Sequence, residues 1–262
     1  MTARLGTTLD EVGRVLLWCI GVVRATFSRS LLPYMGESLR QARILVTGSL
    51  IVLIGLAFSL GLVLGIQGVY GARTIGAPAV AGAFAGLGNL RELVPYAFAY
   101  MMAAKVSTGY AAEIGAMRIA DEIDALDVMG VKSTTYLVAT RLTAVLLVLP
   151  FVFPIALAVG FLGSYIAVVI QLGEVSQGGF LELFWKFQNP GDFLFAGIKG
   201  ILMTSYVVLV GCYFGYHVTG GPVGVGRAAA NAMLVNLVGV HFIGMLTSEL
   251  FWGGDARLPI GG

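Results

Sequence analysis

Charge is what this chain has least of. Of its 262 residues, 16 are Lys or Arg and 14 are Asp or Glu, 11% in all, against about 25% in an ordinary soluble domain. Apolar side chains make up 58%. That balance excludes a soluble globular domain and places the chain among integral membrane proteins. A net charge of +2 is too small to suggest nucleic acid as a partner. Cysteine is nearly absent too. Cys19 and Cys212 both lie in apolar stretches at no metal-ligand spacing, so they read as small hydrophobes rather than a disulfide or redox pair. No nucleotide-binding loop is present: a P-loop needs a Gly-Lys-Ser or Gly-Lys-Thr step, and none of Lys105, Lys132, Lys186 or Lys199 follows a glycine. Any nucleotide this protein uses must be bound by another subunit.

What stands in place of charge is long uncharged runs. A spanning helix needs about 20 mostly apolar residues. Five segments are expected to span: 44–66, 75–104, 142–172, 193–216 and 228–248. The second is interrupted by Arg91, Glu92 and Pro95, and the third contains Pro150 and Pro154, which neighbouring helices can tolerate. The 37 glycines let helices approach closely, and Gly61-x3-Gly65 and Gly211-x3-Gly215 fit close crossings. Asn231, Asn236 and His241 are spaced through the fifth segment, where hydrogen bonding between helices competes with lipid contact as their role.

Basic residues set the expected orientation. Arg4, Arg14, Arg24, Arg29, Arg40 and Arg43 precede the first segment; Lys105, Arg118, Lys132 and Arg141 lie between the second and third; Arg227 lies before the fifth. The other side holds Arg73, Lys186, Lys199 and Arg257, with Glu174, Glu182, Asp192 and Asp255 beside them. The N-terminus is therefore expected in the cytoplasm and the C-terminus outside. Residues 9–32 do not read as a signal peptide. On a helical wheel Val12, Val15, Leu16, Cys19, Ile20, Val23 and Phe27 share one face, opposite Asp10, Glu11, Arg14, Arg24, Ser28 and Arg29. That pattern predicts an amphipathic helix in the membrane interface, with packing on its own protein as the alternative.

One stretch reverses the poverty of charge. Residues 111–130 gather Glu113, Arg118, Asp121, Glu122, Asp124 and Asp127 into what reads as a single helix on the cytoplasmic side. Three readings compete. Asp121, Asp124 and Asp127 recur every three residues, near one helical face, where Mg²⁺ could sit in a membrane enzyme acting on a lipid phosphate. A second acidic cluster to complete such a site is absent from the sequence. Alternatively the segment is a solvated linker, with Ile119, Ile123 and Leu126 as its apolar stripe and Gly130 as its cap. The third reading is a docking helix for a cytoplasmic motor, which this chain lacks.

The runs Leu90-Arg91-Glu92-Leu93-Val94-Pro95, Ala112-Glu113-Ile114-Gly115-Ala116-Met117-Arg118 and Asp121-Glu122-Ile123-Asp124-Ala125-Leu126-Asp127-Val128-Met129-Gly130, with Gly224-Val225-Gly226-Arg227-Ala228, resemble the MlaE/YrbE permeases. The wording is similar to the actinobacterial YrbE proteins. These are membrane subunits of ABC-type lipid transporters that work with MCE-domain proteins. The resemblance implies an all-α polytopic permease with five membrane helices, an N-terminal interfacial helix and a cytoplasmic coupling helix at 111–130, placed in the plasma membrane. It implies a separate cytoplasmic ATPase carrying ATP and Mg²⁺, a second related permease, MCE proteins outside and a lipid cargo. It gives this chain no catalytic residues, metal or cofactor of its own. Carried over by position, Glu113, Arg118, Asp121, Glu122, Asp124 and Asp127 become polar contacts to the ATPase, and Met117, Leu126 and Met129 apolar ones. Apart from the resemblance, Gln67, Tyr70 and Asn89, near the outer ends of the first two spans, are candidates for a lipid path; for Arg91 and Glu92, ionisable residues in an apolar run, lipid gating competes with structural anchoring as their role. Val94, Lys105 and Ser107-Thr108 depart from the residues common at those positions.

Overall fold

The computed structural model describes residues 2–254; in the first helix the side chains of residues 2–9, Glu11 and Val12 are not described, and Asp255 and Arg257 lie outside the described residues. The architecture is helical throughout, with no strand among the described residues. Helix α1 (Thr2–Thr26) leads through a 3-10 turn (Arg29–Tyr34) into α2 (Met35–Thr74). At 1.5 Å per residue, the 40 residues of α2 extend about 60 Å, twice the hydrocarbon thickness. Gly76, at φ +68°, reverses the chain where a side chain would be strained. A helical run then passes from α3 (Ala81–Gly88) through α4 (Val94–Met101) to α5 (Thr108–Ile119), its three pieces joined by π-helical turns at Asn89–Leu93 and Met102–Ser107. Short α6 (Glu122–Val128) precedes α7 (Thr140–Tyr165), α8 (Gln177–Lys186), α9 (Pro190–Tyr216) and α10 (Gly221–Ser248). Asn189 caps α9 by accepting from Gly191 N at 2.9 Å, and Pro190 opens the helix, the usual division of labour at a helix start.

Among the described residues, four helices are long and apolar enough to cross a membrane: Arg29–Thr74, Thr135–Gln171, Pro190–Tyr216 and Gly221–Gly253. The segment expected at 75–104 is not among them. Arg91, Glu92 and Lys105 interrupt its apolar surface, and its helix begins at Ala81 and continues to Ile119 rather than stopping at 104.

Small residues hold the bundle together. A Cβ on Gly61 would overlap the Gly160 carbonyl, and one on Gly65 would come within 2.8 Å of the Ser164 carbonyl, so α2 and α7 touch backbone to backbone. Gly211 and Gly215 press in the same way on Ser107 and Ala111 of the α3–α5 run. Both glycine pairs thus make the close crossings their spacing suggests. Polar ties fix the register. Asn89 Nδ2 donates to Ser164 Oγ at 2.8 Å, Ser164 Oγ donates to the Gly61 carbonyl at 2.7 Å, and Asn236 Nδ2 donates to Ser107 Oγ at 2.7 Å. Tyr100 bonds His241 Nε2 at 2.8 Å while His241 Nδ1 bonds the Leu237 carbonyl; a carbonyl only accepts, so Nδ1 carries the proton and Nε2 accepts. Asn236 and His241 are interhelical partners, whereas Asn231 is exposed.

The bundle has two distinct ends. At one, Tyr34 meets Tyr136, and Trp18 meets Tyr213, Tyr216 and His217. At the other, Arg73 pairs with Glu174 and Arg91 with Asp192. Helix α1 lies across the first end. Trp18 and Ala25 pack on the core with buried Val22, while Leu16, Ile20, Val23 and Phe27 face outward. The wheel does not separate exposed from buried positions, since Arg14, Arg24 and Ser28 on its polar face are exposed as well. Val15 and Cys19, on its apolar face, are half-buried toward α9, because the helix both packs on its protein and presents an apolar surface.

Candidate functional site

The charged segment is not one helix. α5 stops at Ile119, and α6 starts at Glu122 after a bend at Ala120–Asp121, where Asp121 takes a left-handed conformation with φ 57° and ψ 13°. Aspartate tolerates that region better than most side chains. Arg118 closes the bend by donating to Asp124 Oδ1 at 2.7 Å, and buried Ile123 anchors α6 to the core. Gly130, at φ +80°, ends the unit. A period-three count over an unbroken helix could not reveal the bend, since it lies in the backbone of Ala120 and Asp121 alone.

This bend sorts the expected coupling residues. Glu122 and Asp124 are exposed, as are Val128 and Met129, at 88% and 69%. Met117 and Leu126 turn the other way and pack on the protein's own core. Glu113 is not free: its carboxylate meets Arg141 on α7 at 2.9 Å. Asp127 is also engaged. It accepts from both Ser133 N and Ser133 Oγ at 3.0 Å, and Ser133 Oγ lies 2.8 Å from the Tyr216 hydroxyl, tying the loop to the end of α9. What remains facing solvent is an apolar tip of Val128 and Met129 beside Asp121, Glu122 and Asp124. Val128 was missed from the sequence; its place between Asp127 and Met129, just before a glycine cap, was the available signal.

The same geometry separates the three aspartates. Asp121 lies outside α6, Asp124 is held by Arg118 and Asp127 by Ser133. No group of three or more His, Cys, Asp or Glu side chains suited to a metal ion occurs among the described residues.

Residues expected along a lipid path fall into different surroundings. Gln67 and Tyr70 are exposed on α2, with the Arg73 guanidinium 5.3 Å from the centre of the Tyr70 ring. Asn89 is fully buried against α7, which removes it from any open path. Arg91 and Glu92 belong to a polar knot at the second end of the bundle. Arg91 donates to Asp192 Oδ2 at 2.6 Å, and Trp252 Nε1 donates to the other oxygen of Asp192 at 2.9 Å. Lys199, wholly buried, donates to Glu92 Oε2 at 2.6 Å, to Ser248 Oγ at 2.7 Å and to the Arg91 carbonyl at 2.9 Å. A buried ammonium is tolerated only when its donors are satisfied, and here all three have acceptors. The π turn Asn89–Leu93 makes this possible, since its wider winding carries Asn89 toward α7 and Arg91 and Glu92 toward α9 and α10. Sequence spacing on an ideal α-helix does not reveal that division.

Long apolar helices packed through small residues, with interhelical polar ties and a charged corner at one end, define an all-α polytopic membrane protein. The family described as Permease MlaE matches residues 38–250, and the chain belongs to that family. It is 26% identical over 243 residues to a probable ABC transporter permease protein of Rickettsia bellii, covering 93% of each chain. A probable ABC transporter permease protein of Synechocystis is 29% identical over 186 residues, 71% of this chain and 70% of its own. The intermembrane phospholipid transport system permease protein MlaE of Haemophilus influenzae is 26% identical over 223 residues, 82% of this chain and 83% of its own.

Proposed function

We propose that this chain is the permease subunit of an ABC-type transporter that moves lipid across the cell envelope and is driven by a separate cytoplasmic ATPase. The observation that carries the reading is the exposed tip of Val128 and Met129 on a short, braced helix ringed by carboxylates. Exposed apolar surface rimmed by polar groups is a mark of a protein contact. Two struts connect this corner to the bundle, Asp127 through Ser133 to Tyr216 and Glu113 to Arg141, so a push on α6 reaches α9 and α7. ATP and Mg²⁺ belong to the ATPase, and the permease supplies no catalytic group.

In this reading the α3–α5 run is the fifth crossing. The N-terminus and α6 face the cytoplasm, the C-terminus lies outside, and the membrane is the plasma membrane. A second YrbE-type permease completes the bundle, and an MCE-domain protein receives or delivers the lipid outside, as in the actinobacterial-type systems the sequence resembles. The Haemophilus relative's phospholipid transport supports a lipid cargo.

The test is co-purification from the native membrane. Met129→Asp combined with Glu122→Lys should abolish recovery of the ATPase while the permease keeps its elution profile. An ATPase recovered in undiminished amount would remove α6 as the contact. The rival reading, a lipid-phosphate enzyme built on Asp121, Asp124 and Asp127, requires turnover by the purified chain with Mg²⁺ alone.

A further inference from the structure

Helices α1, α9 and α10 leave a groove of ≈580 Å³ between them. Its walls are almost wholly apolar, with Leu16 and Cys19 from α1, Leu202, Leu209 and Phe214 from α9 and Val235 from α10. Two further cavities adjoin it at the end of the bundle where α1 lies. One, of ≈400 Å³, shares Val15 and Tyr213 with the groove and adds Arg14, Trp18 and His217. The other, of ≈300 Å³, shares Phe214 with the groove and His217 with its neighbour, and adds Arg227 and Asn231. Among the described residues, no carboxylate lines any of the three.

The mouth is therefore cationic and rich in donors. Arg14 and Arg227 are exposed, and neither has an ion-pair partner among the described residues. The Trp18 indole N–H is buried without an acceptor. His217 donates its Nδ1–H to the Tyr213 carbonyl at 2.9 Å, which leaves Nε2 as an acceptor for a headgroup hydroxyl rather than a donor to phosphate. An apolar groove that opens into a mouth with two guanidinium groups, neither paired and no carboxylate beside them among the described residues, has the complementarity of an amphiphilic anion.

We propose that this groove binds one anionic phospholipid of the leaflet that α1 lies against. The acyl chain runs along the groove, and the phosphate sits in the mouth between Arg14 and Arg227, with His217 Nε2 accepting from a hydroxyl of the headgroup. Such a lipid is a bound ligand of the α1–α9–α10 corner, distinct from the contact with the ATPase. Its assignment to the cytoplasmic leaflet rests on the orientation proposed above.

Trp18 supplies the probe. The full chain is placed in nanodiscs containing phosphatidylglycerol or phosphatidylcholine with brominated acyl chains, and the quenching removed by Trp18→Phe is measured. Brominated phosphatidylglycerol is expected to quench Trp18 at a several-fold lower mole fraction than brominated phosphatidylcholine. Arg14→Gln with Arg227→Gln, both changes at exposed side chains, is expected to abolish that preference. Equal quenching by the two lipids in the unaltered chain overturns the proposal, as does a preference that survives in the double variant. Absence of quenching together with Cys19–Cys19 cross-linking between chains assigns the groove to a second copy and also overturns it. Recovery of the ATPase is scored separately on the same preparations, so loss of the lipid site and loss of the transporter reading give different results.

Discussion

Arg141 on α7 and Glu113 on α5 meet at 2.9 Å, and burial divides unequally between them: the guanidinium is 2% exposed and the carboxylate 50%. Arg141 also donates to the Leu137 carbonyl at 2.6 Å and lies over the Tyr110 ring, 5.1 Å from its centre. Deleting the carboxylate strands a buried cation, whereas deleting the cation leaves a carboxylate that water can reach. Glu113→Gln should therefore destabilise the protein more than Arg141→Met. The expected loss for Glu113→Gln is about 2 kcal/mol, below the range for a fully buried pair because solvent screens half of this one. Thermal unfolding in detergent reads the order of the two variants, and the opposite order would show that packing of Arg141 outweighs its charge.

Lys199 poses the same question at the other end of the bundle. Lys199, Glu92 and Ser248 join α9, the Asn89–Leu93 turn and α10 through bonds of 2.6–2.7 Å. Glu92→Gln should lower the melting temperature, because the ammonium keeps only neutral acceptors. The double variant Lys199→Met with Glu92→Leu should recover most of the loss, since Lys199 is buried and Glu92 44% exposed, and removing both leaves no buried cation without its carboxylate. If the double variant is the less stable, the polar knot contributes specificity to the fold that burial of a cation does not explain.

How far the sequence reveals this molecule depends on which property each residue carries. Burial in lipid shows in composition, so the four long helices and the close contacts at Gly61, Gly65, Gly211 and Gly215 were legible from hydropathy and small-residue spacing. Charge concentration at 111–130 was legible too. The bend within it was not, because Asp121 adopts a left-handed backbone without any glycine or proline to announce it. The π turns escaped for a related reason. Inserting one residue in a helix leaves composition unchanged but rotates everything beyond it, which is why Asn89 ended against α7 and Glu92 against Lys199. Partners also decide roles. Glu113 and Asp127 resemble free surface carboxylates in the sequence, and Arg141 and Ser133, which engage them, are 28 and 6 residues further along.

Two glycines on α2 separate packing from propensity. Gly61 sits against the Gly160 backbone, while Gly55 has nothing within 4 Å of where a Cβ would be. Gly55→Ala should stabilise the helix by up to about 1 kcal/mol, the ordinary difference between the two residues in a helix interior. Gly61→Ala should destabilise by roughly 1–3 kcal/mol, the range for overpacking, since a backbone carbonyl cannot rotate out of the way as a side chain can. Melting temperatures of the two variants should therefore move in opposite directions. A stabilised Gly61→Ala protein would mean that α2 and α7 separate more easily than their contact suggests.

Asp121 tests whether the bend or the carboxylate serves the proposed ATPase contact. Its left-handed backbone is tolerated by Asp, Asn and Gly and costs a β-branched residue about 1–2 kcal/mol. Asp121→Gly keeps the bend and removes the charge. Asp121→Val removes the charge and strains the bend, pulling α6 out of the register set by Arg118 and Asp124. If shape matters, the glycine variant should retain the ATPase through purification and the valine variant should lose most of it, with the permease intact in both. Equal loss in the two variants would assign the contact to the carboxylate itself. Recovery at unchanged level in both would place the docking surface wholly on Glu122, Val128 and Met129, and α6 would then need no fixed angle to α5.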